Sequence, residues 1–373
     1  MSHVIKNTET LKKLSAYEIV SEENLSDISG FGIVLRHKKS GARIAVISCE
    51  DNNKVFSVGF RTPPEDSTGV AHILEHSVLC GSERFPVKDP FVELVKGSLN
   101  TFLNAMTYPD KTIYPVASCN DKDFANLMEV YMDAVFFPNI HHEKNIFLQE
   151  GWHYELESAD AELSYNGVVY SEMKGVFSSP EELLFTEIQQ ALYPDTSYGV
   201  ESGGDPDHIP ELTYEQFLEF HKRYYHPVNS YIYLYGDMDV AERLEWMDKE
   251  YLSRFEEISL DSSLKLQKPF EAKKNVERYY SVNNSEEAKD AAYFAYGVTF
   301  SGEKDVVLET AVSMLCSAII NKPGTPLKLA LTEAGIGEDC GADFMDVAVQ
   351  PFLAIIAKNA AGDKWEDFLR VVT

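Results

Sequence analysis

The sequence predicts an α+β fold: an antiparallel sheet with helices packed on one face, followed by part of a second, similar domain. Three observations carry that expectation. β-branched and aromatic runs cluster early in the chain and return at 231–235. Amphipathic helical stretches separate them. A strand-then-helix pattern then recurs beyond residue 290.

Residues 32–38, 42–49 and 54–61 read as strands joined by Lys39-Ser40-Gly41 and Glu50-Asp51-Asn52-Asn53, which points to a meander. A helix follows, with Asp66 or Ser67 as N-cap and Gly81 as its stop. Asp89-Pro90 opens a short helix to about Lys96, with Asp89 as cap. Residues 100–107 and 111–117 are extended around the turn 108–111, and a helix over 121–137 stops before Pro138. Helices are expected near 143–151, 168–178 and 180–193. Thr213 and Gln216 form a capping box for a helix through Tyr225, and the strand Tyr231 to Tyr235 ends at Gly236-Asp237. The polar stretch 256–275 reads as a linker, giving expected domains at 1–260 and 261–373. In the second, the 293–298 strand and the 303–320 helix echo the 56–60 strand and the helix after it. Aligning Gly297 with Gly59 puts Thr310, Ser313 and Met314 where His72, Glu75 and His76 stand, so the echo lacks ligand residues.

The 373 residues suffice for two cores, and 44% hydrophobic content is ordinary for a globular protein. No apolar run approaches the ~18 residues that cross a bilayer. The N-terminal residues show neither an apolar signal core nor an Arg-rich transit pattern, so no membrane and a cytoplasmic location are expected. Five cysteines with no C-x-x-C read as reduced thiols. A net charge of −27 repels nucleic acid and attracts cationic partners.

The chemistry is concentrated in Ala71-His72-Ile73-Leu74-Glu75-His76-Ser77. Histidines four apart stack on one helix face, and the glutamate three residues after the first shares it. This H-x-x-E-H order is a metal site with its own general base, which points to metal-assisted hydrolysis. Val70, Ile73, Leu74 and Val78 cover the other side of the helix, as on a wall that backs onto a core. Such a site needs a third ligand, and Glu83, Asp89, Glu93, Glu129, Glu150, Glu155 and Glu172 are all candidates by spacing. The run His141-His142-Glu143 lacks a second histidine at 146 and reads as a solvated helix start.

Long motifs around this helix resemble the presequence-protease branch of the insulinase (pitrilysin) zinc metallopeptidases. They are Leu-Glu-His-Ser-Val-Leu-Cys-Gly-Ser from Leu74, Gly-Ser-Leu-Asn-Thr-Phe-Leu-Asn-Ala-Met-Thr-Tyr-Pro-Asp from Gly97, Gln-Glu-Gly-Trp-His-Tyr-Glu-Leu from Gln149, Gly-Val-Val-Tyr-Ser-Glu-Met-Lys-Gly from Gly167 and Ser-Gly-Gly-Asp-Pro from Ser202. The resemblance implies an insulinase-like domain with Zn2+ held by His72, His76 and Glu172, the last 96 residues beyond His76. It implies Glu75 as the base that activates the attacking water. It makes Asn104, Ala105 and Thr107 part of an edge strand that pairs with unstructured peptide substrates, and Glu150 a partner that orients a ligand histidine. Family enzymes are longer, so the chain is expected to be an N-terminal fragment, inactive alone, whose partner is the C-terminal half of the same enzyme. The competing expectation is a non-catalytic structural or peptide-binding subunit of the same family.

Overall fold

The computed structural model describes residues 4–88, 90–282, 287–300, 305–345 and 349–373. It begins with strands β1 (Tyr17–Leu25), β2 (Gly30–His37), β3 (Arg43–Ser48) and β4 (Lys54–Arg61), then helices α1 (Val70–Val78) and α2 (Pro90–Gly97). Strands β5 (Asn100–Leu103), β6 (Met106–Thr107) and β7 (Lys111–Ser118) lead into α3 (Asp121–Phe136) and α4 (Lys144–Glu150). The short hairpin β8 (His153–Glu155) and β9 (Ser164–Asn166) precedes α5 (Val168–Val176), α6 (Pro180–Leu192) and α7 (Tyr214–Tyr224). Then come β10 (Ser230–Gly236), α8 (Val240–Glu250), β11 (Ala292–Thr299), α9 (Val306–Ile319), α10 (Pro326–Glu333), β12 (Asp339–Met345), β13 (Phe352–Ala360) and α11 (Trp365–Val372).

The chain folds into two compact units, Met1–Ser171 with Ser202–Ser263, and Glu172–Glu201 with Leu264–Thr373. The division differs from the expected 1–260 and 261–373 mainly in where it puts residues 172–201. The physical reason is local: α6 packs on β11, and the Tyr193 hydroxyl donates to the Gln350 carbonyl. The expected linker is also tied down, since the backbone N–H of buried Gln267 donates to Gln350 Oε1 at 2.8 Å.

The first unit is built on an eight-stranded sheet in the order β1-β2-β3-β10-β4-β7-β5, with β6 also paired to β7. Pairing is antiparallel except between β10 and β3, which run parallel. The expected meander is therefore corrected: β10 lies between β3 and β4. A late strand can fill that slot because β10 adds buried Ile232 and Leu234 to the same rows as Ile44 and Val58, and Val46 and Phe56. Strand β1 falls outside the expected strands because most of its residues are polar and exposed. Register places Leu35, Ile44, Ile232, Val58 and Tyr114 in one row across the sheet, all nearly or fully buried. Ile33, Val46, Leu234, Phe56 and Val116 form the next row. Burial of alternate residues is the pattern of a sheet covered on one face. Helix α3 packs on β4 and β7, and α1 lies against β6, β7, α4 and α7.

The second unit has an antiparallel sheet in the order β11-β13-β12. Successive residues of β13 serve two cores: Ala354 and Ile356 pack with Ile188 of α6, Ile355 and Ala357 with Val312 and Cys316 of α9. The echo of the first unit survives as strand β11 followed by α9, where Thr310, Ser313 and Met314 are exposed. Residues 303 and 304 of the expected helix, and Asp89 as cap of α2, lie outside the described residues. No described helix is long and apolar enough to cross a membrane.

Candidate metal centre

Helix α1 does not start on a side-chain cap. Asp66 instead accepts bonds from the backbone and hydroxyl of Thr68, in the turn ahead of the helix. The cap position is Gly69, in a left-handed conformation at φ +69°. A Cβ there would lie 2.7 Å from the Gly203 carbonyl oxygen and 2.7 Å from the Gly204 Cα, so only glycine lets the 203–204 loop close on the helix start. The loop is pinned by Asp205 N–H donating to Ser67 O at 2.8 Å.

That closure orients the first histidine. His72 Nδ1 lies 2.9 Å from the Gly203 carbonyl, which can only accept, so Nδ1 carries the proton and Nε2 has its lone pair for a metal. His76, one turn on, has its ring centroid 5.0 Å from that of His72. Its Nδ1 sits 3.4 Å from Glu150 Oε2, which leaves the opposite nitrogen in the same role. Glu150 is buried at the end of α4. Burial opposes its ionisation, but hydrogen bonds from His76, Gln149 and Cys80 outweigh that and hold its carboxyl below the ordinary value.

Glu172 is the fifth residue of α5. Gly167, just ahead of that helix, passes so close to Gly151 that any Cβ would overlap the Gly151 carbonyl. The ligand atoms of His72, His76 and Glu172 all lie within 4.8 Å of one another, the one such cluster of three among the described residues. Two imidazole nitrogens and a carboxylate are the donor set of a catalytic zinc site that keeps a coordination position open, so the residues present fit zinc.

Glu75 is 8% exposed, and its Oε2 accepts a hydrogen bond from Thr107 Oγ1 at 2.8 Å. Buried Tyr114, Tyr131 and Tyr225 stand close enough to feel its charge. Burial first, and the Glu75 charge second, push the Tyr131 phenol well up. The Tyr131 hydroxyl donates to the Asn104 carbonyl at 3.1 Å, and Asn104 N–H donates to Pro115 O at 3.2 Å. The backbone of Asn104 is thus anchored inward, although the residue as a whole is exposed, and Ala105 and Thr107 are half-buried. Strands β5 and β6 pair only with β7 among the described strands, so the 100–107 segment is an edge.

The motif residues thus converge, and sequence reasoning missed two contacts. The Gly203 carbonyl as partner of His72 has no spacing signal, being 131 positions away. Thr107, expected to face peptide, has its hydroxyl bonded to Glu75. The expected solvated helix start at 141–143 holds for Glu143, which caps α4, whereas His141 is bonded to His221.

Residues 55–201 match the family described as Insulinase (Peptidase family M16), and residues 211–373 match the Peptidase M16 inactive domain. The chain is 52% identical over 358 residues to Protein HypA of Clostridium perfringens, covering 96% of this chain and 37% of that protein. It is 48% identical over 349 residues to the chloroplastic/mitochondrial presequence protease 1 of Arabidopsis thaliana, covering 92% and 32%. The mitochondrial presequence protease of Mus musculus is 40% identical over 316 residues, covering 83% and 30%. The chain therefore spans about a third of the length of these curated relatives. The crystal structure of pitrilysin shares the fold, with a TM-score of 0.61 at 17% identity over 94% of this chain and 36% of that one. Two domain matches that follow one another along the chain, the presequence-protease relatives and the shared fold lead to one placement: this chain belongs to the insulinase (peptidase M16) family.

Proposed function

We propose that this chain carries the catalytic half-site of a zinc metalloendopeptidase that cleaves short, unstructured peptides. The observation that carries the reading is the cluster of His72, His76 and Glu172, with both histidines oriented through Nδ1. These three residues would hold the metal. A zinc ion in such a site supplies Lewis-acid polarisation of the scissile carbonyl and lowers the pKa of water.

The chain's own residues do the rest. Glu75, three residues after His72 on the same helix, takes a proton from the attacking water and returns it to the leaving amine. The edge at Asn104, Ala105 and Thr107 receives the peptide as an added strand, which holds main chain of any sequence. Glu150 keeps His76 in the ligating orientation. Since the chain spans about a third of its relatives, we expect the longer protein, rather than this chain alone, to be the active species.

The test uses the full-length protein carrying this chain, a quenched unstructured peptide and metal analysis. Glu75→Gln is expected to keep about one zinc per site and to lose at least ~100-fold in kcat, the scale of a lost general base. Turnover at the wild-type rate in Glu75→Gln would sink the mechanism, whereas wild-type protein that binds peptide without cutting it would favour the non-catalytic peptide-binding subunit.

A further inference from the structure

A general base needs an orientation as well as a basicity. The terminal torsion of a glutamate is broad and roughly two-fold, so a carboxylate that nothing holds presents its oxygens at a spread of angles. In this site one oxygen is held. Thr107 Oγ1 donates to Glu75 Oε2 at 2.8 Å, the one hydrogen bond to that carboxylate among the described residues.

The donor is itself fixed from three sides. Threonine is β-branched and stiff at χ1, so backbone placement sets where its hydroxyl points. That backbone pairs across to Thr112 of β7, a fully buried residue whose hydroxyl bonds to Thr62 at 2.8 Å. Just ahead of β6, the Asn104 peptide is clamped between Tyr131 and Pro115. A strand edge that only gripped peptide would need none of this directed toward α1.

We propose that Thr107 is a positioning residue for Glu75. Its hydroxyl pins Oε2 and keeps its own proton, so Oε1 is the oxygen that takes the proton from water. The same Oε1 passes that proton to the amine nitrogen as the C–N bond breaks. The Thr107 hydroxyl thus acts through Glu75, while the peptide is gripped by the main chain of this edge. The inference rests on the metallopeptidase reading above, and its test separates the two.

The full-length protein carrying this chain is compared as wild type, Thr107→Val, Thr107→Ala and Thr107→Ser. Val keeps the branched shape without the hydroxyl, Ala removes the hydroxyl if Val fails to fold, and Ser keeps the hydroxyl. Losing a hydrogen bond to a charged group should lower kcat by about tenfold or more in Val and Ala, with KM within about twofold. Ser should recover kcat to within about threefold of wild type. In crystals of metal-free protein, the Glu75 carboxylate should be turned or spread over several orientations in Val and single in Ser. A wild-type kcat with an unmoved Glu75 in Val or Ala overturns the proposal, and so does a raised KM at unchanged kcat. Full turnover in Glu75→Gln overturns the metallopeptidase reading instead, since Thr107 would then have no base to position.

Discussion

Two histidines outside the metal centre are held as a pair. His221 Nε2 donates to the Val135 carbonyl at 3.0 Å, so its Nδ1 accepts from His141 Nε2 at 3.1 Å. Burial, helped by the neighbouring His141, pushes the His221 pKa down to about 3, although its bond to Val135 opposes the shift. In the unfolded chain a histidine titrates near 6.5. The folded value is depressed, so the contribution of neutral His221 is fully present above pH ~6.5 and is lost as pH falls from there toward 3, by up to about 1.4 kcal/mol per pH unit. Urea denaturation at pH 7, 6 and 5 checks this. His221→Phe should be less stable at pH 7 and should flatten the fall between pH 6.5 and 5. An unchanged slope would mean that other groups carry the acid sensitivity. His72 and His76 are held differently, with a carbonyl facing Nδ1 of His72 and a carboxylate facing Nδ1 of His76.

Helix α1 brings the site together because its first turn meets a loop from far along the chain. The apolar stripe of Val70, Ile73, Leu74 and Val78 is buried as its spacing requires, and His76 is the one motif residue that stays half-exposed. The start of the helix follows a different rule from the capping signals at Asp66 and Ser67. It depends on Gly69 adopting φ +69° under the Gly203–Gly204 peptide. Gly69→Ala would meet both a left-handed backbone and a backbone clash, for a cost of about 2 kcal/mol. Because the displaced group includes the Gly203 carbonyl that orients His72, zinc affinity should fall alongside stability. Thermal melting of the metal-free protein and competition with a chelator read the two effects separately. Lower stability at wild-type zinc affinity would show that the loop does not orient the ligand. By contrast, α7 follows its local signal, with Thr213 and Gln216 bonded reciprocally as a capping box.

Across the whole molecule, the charge of −27 acts at long range on whatever reaches the site. On the proposed peptidase reading, encounter of the longer protein carrying this chain with a Lys-rich peptide should be accelerated at low salt. Raising ionic strength from about 20 to 200 mM should reduce kcat/KM for that peptide several-fold, because the Debye length falls below roughly 10 Å. A neutral peptide of equal length should change by less than about twofold. Parallel salt profiles for the two peptides would show that the acidity serves solubility alone. Within each unit the cores are local: the first is a sheet covered on one face, and the second is a three-stranded sheet whose central strand β13 packs helices on both.

Much of this is legible in local pattern. Side-chain period places the strands from β2 to β7 and most helices, since alternation and i, i+4 repetition report which face meets a core. The H-x-x-E-H spacing by itself puts His72, Glu75 and His76 on one helix face, because helical geometry needs no partner to do so. Glu172 is one of several acidic candidates by spacing, and only resemblance singles it out before the fold brings its carboxylate near both histidines. The parallel docking of β10 against β3, the Gly203 carbonyl behind His72, the Glu150 carboxylate behind His76 and the Thr107 hydroxyl on Glu75 were decided by tertiary structure. Each joins residues separated by roughly 30 to 190 positions, where no periodicity survives, and the contact is set by chain crossing and packing.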